Sequence, residues 1–178
     1  ALLTEWYAPH LLGRALSDAA RAEYQSIWEN LFPPLLAGPR VLVLRDYHAQ
    51  NLFWLPGRAG VARVGLIDFQ DGLWGSPAYD LVSLLEDARR DVAPALAAKM
   101  LKRYNIKGSV PFITAYALAG AQRNAKILGI FARLAKRDRK PAYLGLLPRV
   151  EAHFHRNLAH PALAPLKAWF AEHLPLGA

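Results

Sequence analysis

Residues 41–71, VLVLRDYHAQNLFWLPGRAGVARVGLIDFQD, are a series of apolar runs that each deliver acidic or amide side chains to an abrupt end. The runs 41–44 and 64–67 are β-like, with Asp46 shortly after the first and Asp68 directly after the second. Pro56, Gly57 and Gly60 mark the turn between 51–55 and 61–67, a compact hairpin. Carboxylates held beside one another at strand ends can share oxygen-ligated Mg²⁺, and a further carboxylate can orient a hydroxyl for attack. The pattern points to a metal-phosphate site and to phosphoryl transfer.

The rest of the chain reads as helix. Ser17 and Asp18 cap a helix with Ala20, Tyr24, Ile27, Trp28, Leu31 and Leu35 at helical spacing, ended by Ala37, Gly38 and Pro39. Residues 1–16 form a short helical or irregular lead-in. After Asp71 the run GLWGSP reads as a tight loop into a helix over 77–90, with Pro77 in its first turn. Further helices are expected over 93–104, 111–136, 141–157 and 161–173. The expectation is an α+β fold, mainly helical, with a small β-hairpin carrying the chemistry.

A 178-residue chain with 53% hydrophobic content can bury the core of one ordinary domain. The absence of cysteine excludes disulfides, thiolate zinc sites and cysteine nucleophiles, and it fits a cytoplasmic protein. No apolar stretch is long enough to span a membrane. The charge of +8 raises nucleic acid as a partner, but the basic residues are spread and carry no recognised binding motif; the densest group is Arg133, Lys136, Arg137, Arg139 and Lys140. His153 and His155 would point about 200° apart on a helix, which disfavours shared zinc. There is no G-x-S-x-G elbow and no Walker motif.

Asp46 is the candidate catalytic base, since a carboxylate just past a strand can accept a proton from an attacking hydroxyl. A loop aspartate paired with Arg45 would have the same spacing. Asn51 and Asp68 fit metal ligands, although an asparagine alone also caps turns. The combination D-x-x-x-x-N followed by an apolar run ending I-D-F is more specific than its parts. Asp80 is a helix N-terminal carboxylate favoured by the macrodipole. Arg123 and Asn124 interrupt the apolar stripe of the longest helix, where they either face a substrate cleft or are satisfied by neighbouring backbone and carboxylates; Glu86 and Asp87 have similar status. Asp71 is a weaker candidate for contacting substrate or metal.

RDYHAQN and LIDFQD resemble the catalytic and metal-binding loops of the aminoglycoside phosphotransferase and choline kinase family, whose architecture is similar to protein kinases. The family pattern H-x-D-x-x-x-x-N falls on Asp46 as base and Asn51 as metal ligand, with Asp68 as the metal-binding aspartate. The histidine two residues before the base is Leu44 here, a change that bears on local packing more than on chemistry. His48 matches a second histidine of the family loop. Asp80 resembles the aspartate that hydrogen-bonds catalytic-loop backbone, so the resemblance implies structural support from Asp80 and His48.

Within that family, the string from LRDYHAQN through LEDARRDV, continued by AQRNAKILGIFARLAKRD, is most similar to bacterial anomeric sugar kinases acting on N-acetylmuramate and N-acetylglucosamine. The resemblance spans the whole chain. It implies ATP, Mg²⁺, a sugar acceptor and cell-wall recycling. It also implies that residues 1–178 are a single C-terminal, substrate-binding lobe, with the N-terminal nucleotide-binding lobe absent and turnover by the lobe alone poor or nil. The alternatives are an aminoglycoside or other small-molecule kinase, and a non-catalytic binding module of the same fold.

Overall fold

The computed structural model describes residues 2–104 and 110–175, so residue 1 of the lead-in lies outside the described residues. The lead-in is a π-helical turn, Leu3–Tyr7, running into helix α1 (Ala8–Leu12), which Gly13 ends at φ 68°. Ser17 Oγ accepts from Ala20 N and starts α2 (Asp18–Leu36). Four three-residue strands follow: β1 (Val41–Val43), β2 (Leu52–Trp54), β3 (Val64–Leu66) and β4 (Leu73–Gly75). Helices α3 (Ala78–Leu85), α4 (Pro94–Tyr104), α5 (Val110–Lys136), α6 (Leu147–Leu158) and α7 (Ala164–His173) come next among the described residues.

The long α5 is the axis of the core. Its Leu118, Ala121, Ala125, Leu128 and Phe131 are buried, and α3, α6 and the Leu3–Tyr7 turn pack around it. Small residues set the closeness of that packing. At Gly129 an added Cβ would overlap the backbone of Leu2 and Leu3, and at Gly120 it would stand 2.5 Å from Asn157 Nδ2. The C-terminal helix is fastened to α2 by an aromatic cluster: Tyr24 and Trp169 have ring centroids 4.8 Å apart, and Trp169 Nε1 donates to Ala20 O at 2.9 Å. Tyr7 ties the lead-in to α6 by donating to Glu151 Oε1 at 2.7 Å.

The strands depart from the expected single hairpin. β2 pairs antiparallel with β3, from Leu52 opposite Leu66 to Trp54 opposite Val64, which is the hairpin itself. β1 pairs instead with β4, Val41 opposite Gly75 and Val43 opposite Leu73, so the segment read as a tight loop contains a strand. The runs that deliver Asp46 and Asp68 thus lie in two separate two-stranded sheets. Leu42, Phe53, Trp54 and Trp74 are exposed on these strands.

Three helix bounds also differ. The helix expected to reach residue 90 ends at Leu85, because Glu86 leaves helical geometry (φ −117°, ψ 46°) with its carboxylate turned onto α5 and α6. Asp87 Oδ1 then accepts from Arg89 N at 2.9 Å and begins a loop. The helix expected from 141 opens as a 3₁₀ segment, Pro141–Leu146, and becomes α-helical where Pro148 fits the first turn of α6. The helix expected from 161 starts with a 3₁₀ turn, Pro161–Leu163, whose Ala162 N is accepted by His160 Nδ1 at 3.2 Å.

Candidate active site

The 44–51 segment is anchored to α3 through its backbone. Asp80, in the first turn of α3, accepts from Leu44 N at 2.7 Å and from Arg45 N at 3.0 Å with its two carboxylate oxygens. Burial pushes the Asp80 carboxyl up, against the pull of these two amides in the other direction. One turn along the helix, Ser83 Oγ donates to Arg45 O at 3.3 Å. Arg45 sits in the left-handed region, φ 70°, gripped at both its N–H and its C=O. A non-glycine residue there costs on the order of 1–3 kcal/mol and persists where its surroundings over-determine it.

Beyond Arg45 the chain winds in short backbone turns. Asp46 N donates to Leu44 O at 2.9 Å, His48 N to Asp46 O at 3.0 Å and Asn51 N to His48 O at 2.9 Å. Asp46 itself is exposed and, among the described residues, forms no ion pair with Arg45. His48 is buried, with Nδ1 lacking a partner. Its pKa is lowered, first by burial and then by the charge of Arg89, with Asp87 and Asp46 acting in the opposite direction.

Asn51 joins the two acidic segments. Its Nδ2 donates to the Asp46 carbonyl at 2.9 Å and reaches Asp68 Oδ2 at 3.4 Å. Ile67 N donates to Asn51 O at 3.2 Å, which brings β3 alongside. Directly after it, Asp68 adopts φ 59°, a left-handed conformation that aspartate tolerates better than most residues. Gln70 Nε2 donates to Asp68 Oδ1 at 2.6 Å.

The Asn51 amide nitrogen faces both the Asp46 carbonyl and the Asp68 carboxylate, which leaves Oδ1 as the oxygen this residue could give a cation. No group of three or more His, Cys, Asp or Glu forms a metal cage among the described residues. Two oxygen donors on an open surface suit Mg²⁺, which keeps several waters and takes phosphate oxygens. Asp71 is exposed and lies outside this set of contacts.

Arg123 and Asn124 are buried, not open to solvent. Arg123 Nη1 donates to Glu86 O at 3.4 Å, and Asn124 Nδ2 donates to Glu86 Oε2 at 2.7 Å and to Asn157 Oδ1 at 2.9 Å. Asn157 Nδ2 closes the network on Glu86 Oε1 at 3.1 Å. Burial pushes the Glu86 carboxyl up while the two amides oppose the shift. Ser83, Gln70, Asn157 and Lys126 were not singled out by the sequence. Lys126 of α5 sits within the fields of Asp46 and Arg45, and burial holds its ammonium below the ordinary lysine range. Its signal, a cation in AQRNAKI just after Arg123 and Asn124, was present but carried no spacing rule.

The sequence profile of the phosphotransferase enzyme family matches residues 1–117. The chain is 43% identical to the N-acetylmuramate/N-acetylglucosamine kinase of Caulobacter vibrioides over 98% of its own length and 49% of that protein. Kinases of the same name from Neisseria meningitidis and Pseudomonas putida are 38% and 35% identical, over 96% of this chain and 53% and 52% of their own lengths. The chain thus spans about half the length of the curated relatives it matches. Among the described residues no helix is long and apolar enough to cross a membrane.

Proposed function

From the premise that the chain belongs to the phosphotransferase enzyme family, we propose that it carries the catalytic and acceptor-binding part of an ATP-dependent sugar kinase acting in the cytoplasm. The acceptor is the anomeric hydroxyl of N-acetylmuramate or N-acetylglucosamine, a reading supported by the names of its relatives. The observation that supports the proposal is the Asn51 amide, which donates to the Asp46 backbone carbonyl and reaches the Asp68 carboxylate, so that the three residues of the motif meet through one side chain.

In this reading Asp46 accepts the proton of the sugar hydroxyl as its oxygen attacks the γ-phosphorus of ATP, the new oxygen–phosphorus bond forming as the bond to the bridging oxygen breaks and ADP leaves with that electron pair. Asn51 and Asp68 would hold Mg²⁺, which would supply neutralisation of phosphate charge. Asp80 and Ser83 hold the loop, His48 packs beneath it, and Gln70 orients Asp68. Arg123 and Asn124 act through Glu86 and Asn157, shaping the acceptor side from beneath. Asp71 is left to contact substrate or solvent at the rim.

The nucleotide-binding lobe belongs, on this proposal, to the half of the relatives' length that the chain does not span. The exposed apolar residues Leu42, Phe53, Trp54 and Trp74 support it, because they give a second lobe and an adenine ring a surface to cover. The chain alone then turns over poorly, since phosphoryl transfer depends on positioning and electrostatics. The test is ATP-dependent phosphorylation of N-acetylmuramate by the protein at its natural length, compared with Asp46→Asn and Asp68→Ala. Full activity in both variants overturns the assignment.

A further inference from the structure

Segment 86–91, which follows α3, is held from one side by α5 and α6. Glu86 O accepts from Arg123 Nη1, and the Glu86 carboxylate accepts from Asn124 and Asn157. Ala88 O accepts from Arg149 Nη1 at 3.2 Å, and Arg149 Nε pairs with Asp91 Oδ1 at 2.8 Å. Asp87 is different, for among the described residues its carboxylate makes no hydrogen bond to either helix. Its Oδ1 accepts from Arg89 N at 2.9 Å, and its Oδ2 is buried without a partner. The residue is only 2% exposed.

His48 presents the matching deficit. It is 8% exposed, and its Nδ1 is buried without a partner. The charge of Asp87 acts on its ring, alongside those of Arg89, Asp46 and Arg123. A buried polar atom left unpaired is costly. Here there are two, within electrostatic reach of each other, and an imidazole nitrogen can donate to a carboxylate oxygen that can only accept.

The position of His48 in the chain gives such a contact a consequence. Asp80 and Ser83 hold the loop at Leu44 and Arg45, and Asp87 follows Ser83 just past the end of α3. His48 N donates to Asp46 O at 3.0 Å, and His48 O accepts from Asn51 N at 2.9 Å. Fixing the imidazole therefore fixes the backbone between the candidate base and a candidate metal ligand, a stretch that neither Asp80 nor Ser83 hydrogen-bonds among the described residues.

We propose that Asp87 is a positioning residue for phosphoryl transfer, its Oδ2 accepting from His48 Nδ1–H once substrates are bound and so tying the 46–51 segment to the α5 and α6 side of the protein. The inference rests on the kinase reading above. The ring takes part as its neutral Nδ1–H tautomer, so no proton changes hands. Hydrogen bonds that serve catalysis are often long or poorly aligned before substrate binds and tighten in the complex. Asp46 keeps the role of base, and Asp87 acts only through His48.

The experiment measures kcat, and KM for N-acetylmuramate and for ATP, in the natural-length protein and in Asp87→Ala, His48→Ala, the double variant and His48→Asn, each checked by thermal melt. Loss of an outer partner lowers kcat about 10- to 100-fold in either alanine variant, with both KM values nearly unchanged. The double variant falls no further than the lower of the two, because both residues act through one contact. His48→Asn, whose Nδ2–H takes the place of the ring Nδ1–H, keeps kcat within about three-fold of wild type. Wild-type kcat in Asp87→Ala, or losses that multiply in the double variant, overturns the proposal while leaving the kinase reading standing. Where Asp87→Ala does not fold, the comparison of His48→Asn with His48→Ala decides, and equal kcat in those two overturns it. A wild-type protein that phosphorylates neither N-acetylmuramate nor N-acetylglucosamine overturns the kinase reading itself.

Discussion

Asp80 holds Arg45 in a left-handed conformation by accepting its amide at 3.0 Å, while the other carboxylate oxygen takes the amide of Leu44 at 2.7 Å. Helix α3 thereby fixes the backbone immediately before Asp46. Asp80→Ala leaves both part-buried amides without this acceptor and is expected to cost about 2–4 kcal/mol, since each unsatisfied group costs roughly 1–3 kcal/mol. Arg45→Gly removes the left-handed strain and should recover about 0.5–1 kcal/mol of that loss. Urea unfolding of both single variants and the double variant measures the two terms; equal midpoints for wild type and Asp80→Ala would remove the anchoring role.

Asp46 contributes little to the fold, because its carboxylate is exposed and forms no salt bridge among the described residues. Asp46→Asn is therefore expected to lower kcat by about 10²- to 10⁴-fold with the melting temperature unchanged. Steady-state rates set beside a thermal melt separate the two effects. A large fall in Tm would show that the residue is structural.

Gln70 donates at 2.6 Å to Oδ1 of Asp68, the proposed metal ligand. Partners of metal ligands typically contribute 10- to 100-fold in metal affinity. Gln70→Ala should accordingly raise the Mg²⁺ concentration for half-maximal activity about ten-fold, with kcat at saturating Mg²⁺ nearly restored. A magnesium titration with no displacement would detach Gln70 from the metal site.

Local residue patterns carried the helices and the hairpin, since caps, prolines and apolar spacing act over a few residues. They hid β4, because Leu73–Gly75 is short, lies between Gly72 and Pro77, and both of its side chains, Leu73 and Trp74, are exposed, leaving no buried alternation to read. They also left the surroundings of Arg123 and Asn124 open. Asn124 meets Glu86 across 38 residues and Asn157 across 33, distances over which no spacing rule operates. The 46–68 motif is compact enough to be legible, whereas the Glu86, Asn124 and Asn157 network is assembled from the end of α3, from α5 and from α6 and had to be seen in three dimensions.

That buried network makes Gly120 a sensitive position. A Cβ there would stand 2.5 Å from Asn157 Nδ2, displacing an amide that serves Glu86. Gly120→Ala is expected to destabilise the protein by about 1–3 kcal/mol through overpacking. Gly145→Ala, where a new Cβ meets nothing within 4 Å, should stay within about 0.5 kcal/mol of wild type. Chemical denaturation of the pair is the comparison, and a neutral Gly120→Ala would mean that Asn157 can move without cost.

His153, buried on α6, gives the chain an acid-sensitive point. Burial, then the charges of Arg156, Arg123 and Arg149, lower its pKa from 6.5 to about 4. Between those values the unfolded chain binds a proton that the folded chain refuses, so stability is complete above about pH 6.5 and falls as pH drops toward 4. Glu86 works in the opposite sense, because its raised pKa makes the folded state the better proton binder above about pH 4.5. The difference between wild type and His153→Gln isolates the histidine. The stability of wild type relative to the variant should fall progressively from pH 6.5 to 4 and be constant above 7. Unfolding curves at half-unit intervals measure that difference, and a flat profile across the window would mean that His153 titrates as freely in the folded protein as in the unfolded one.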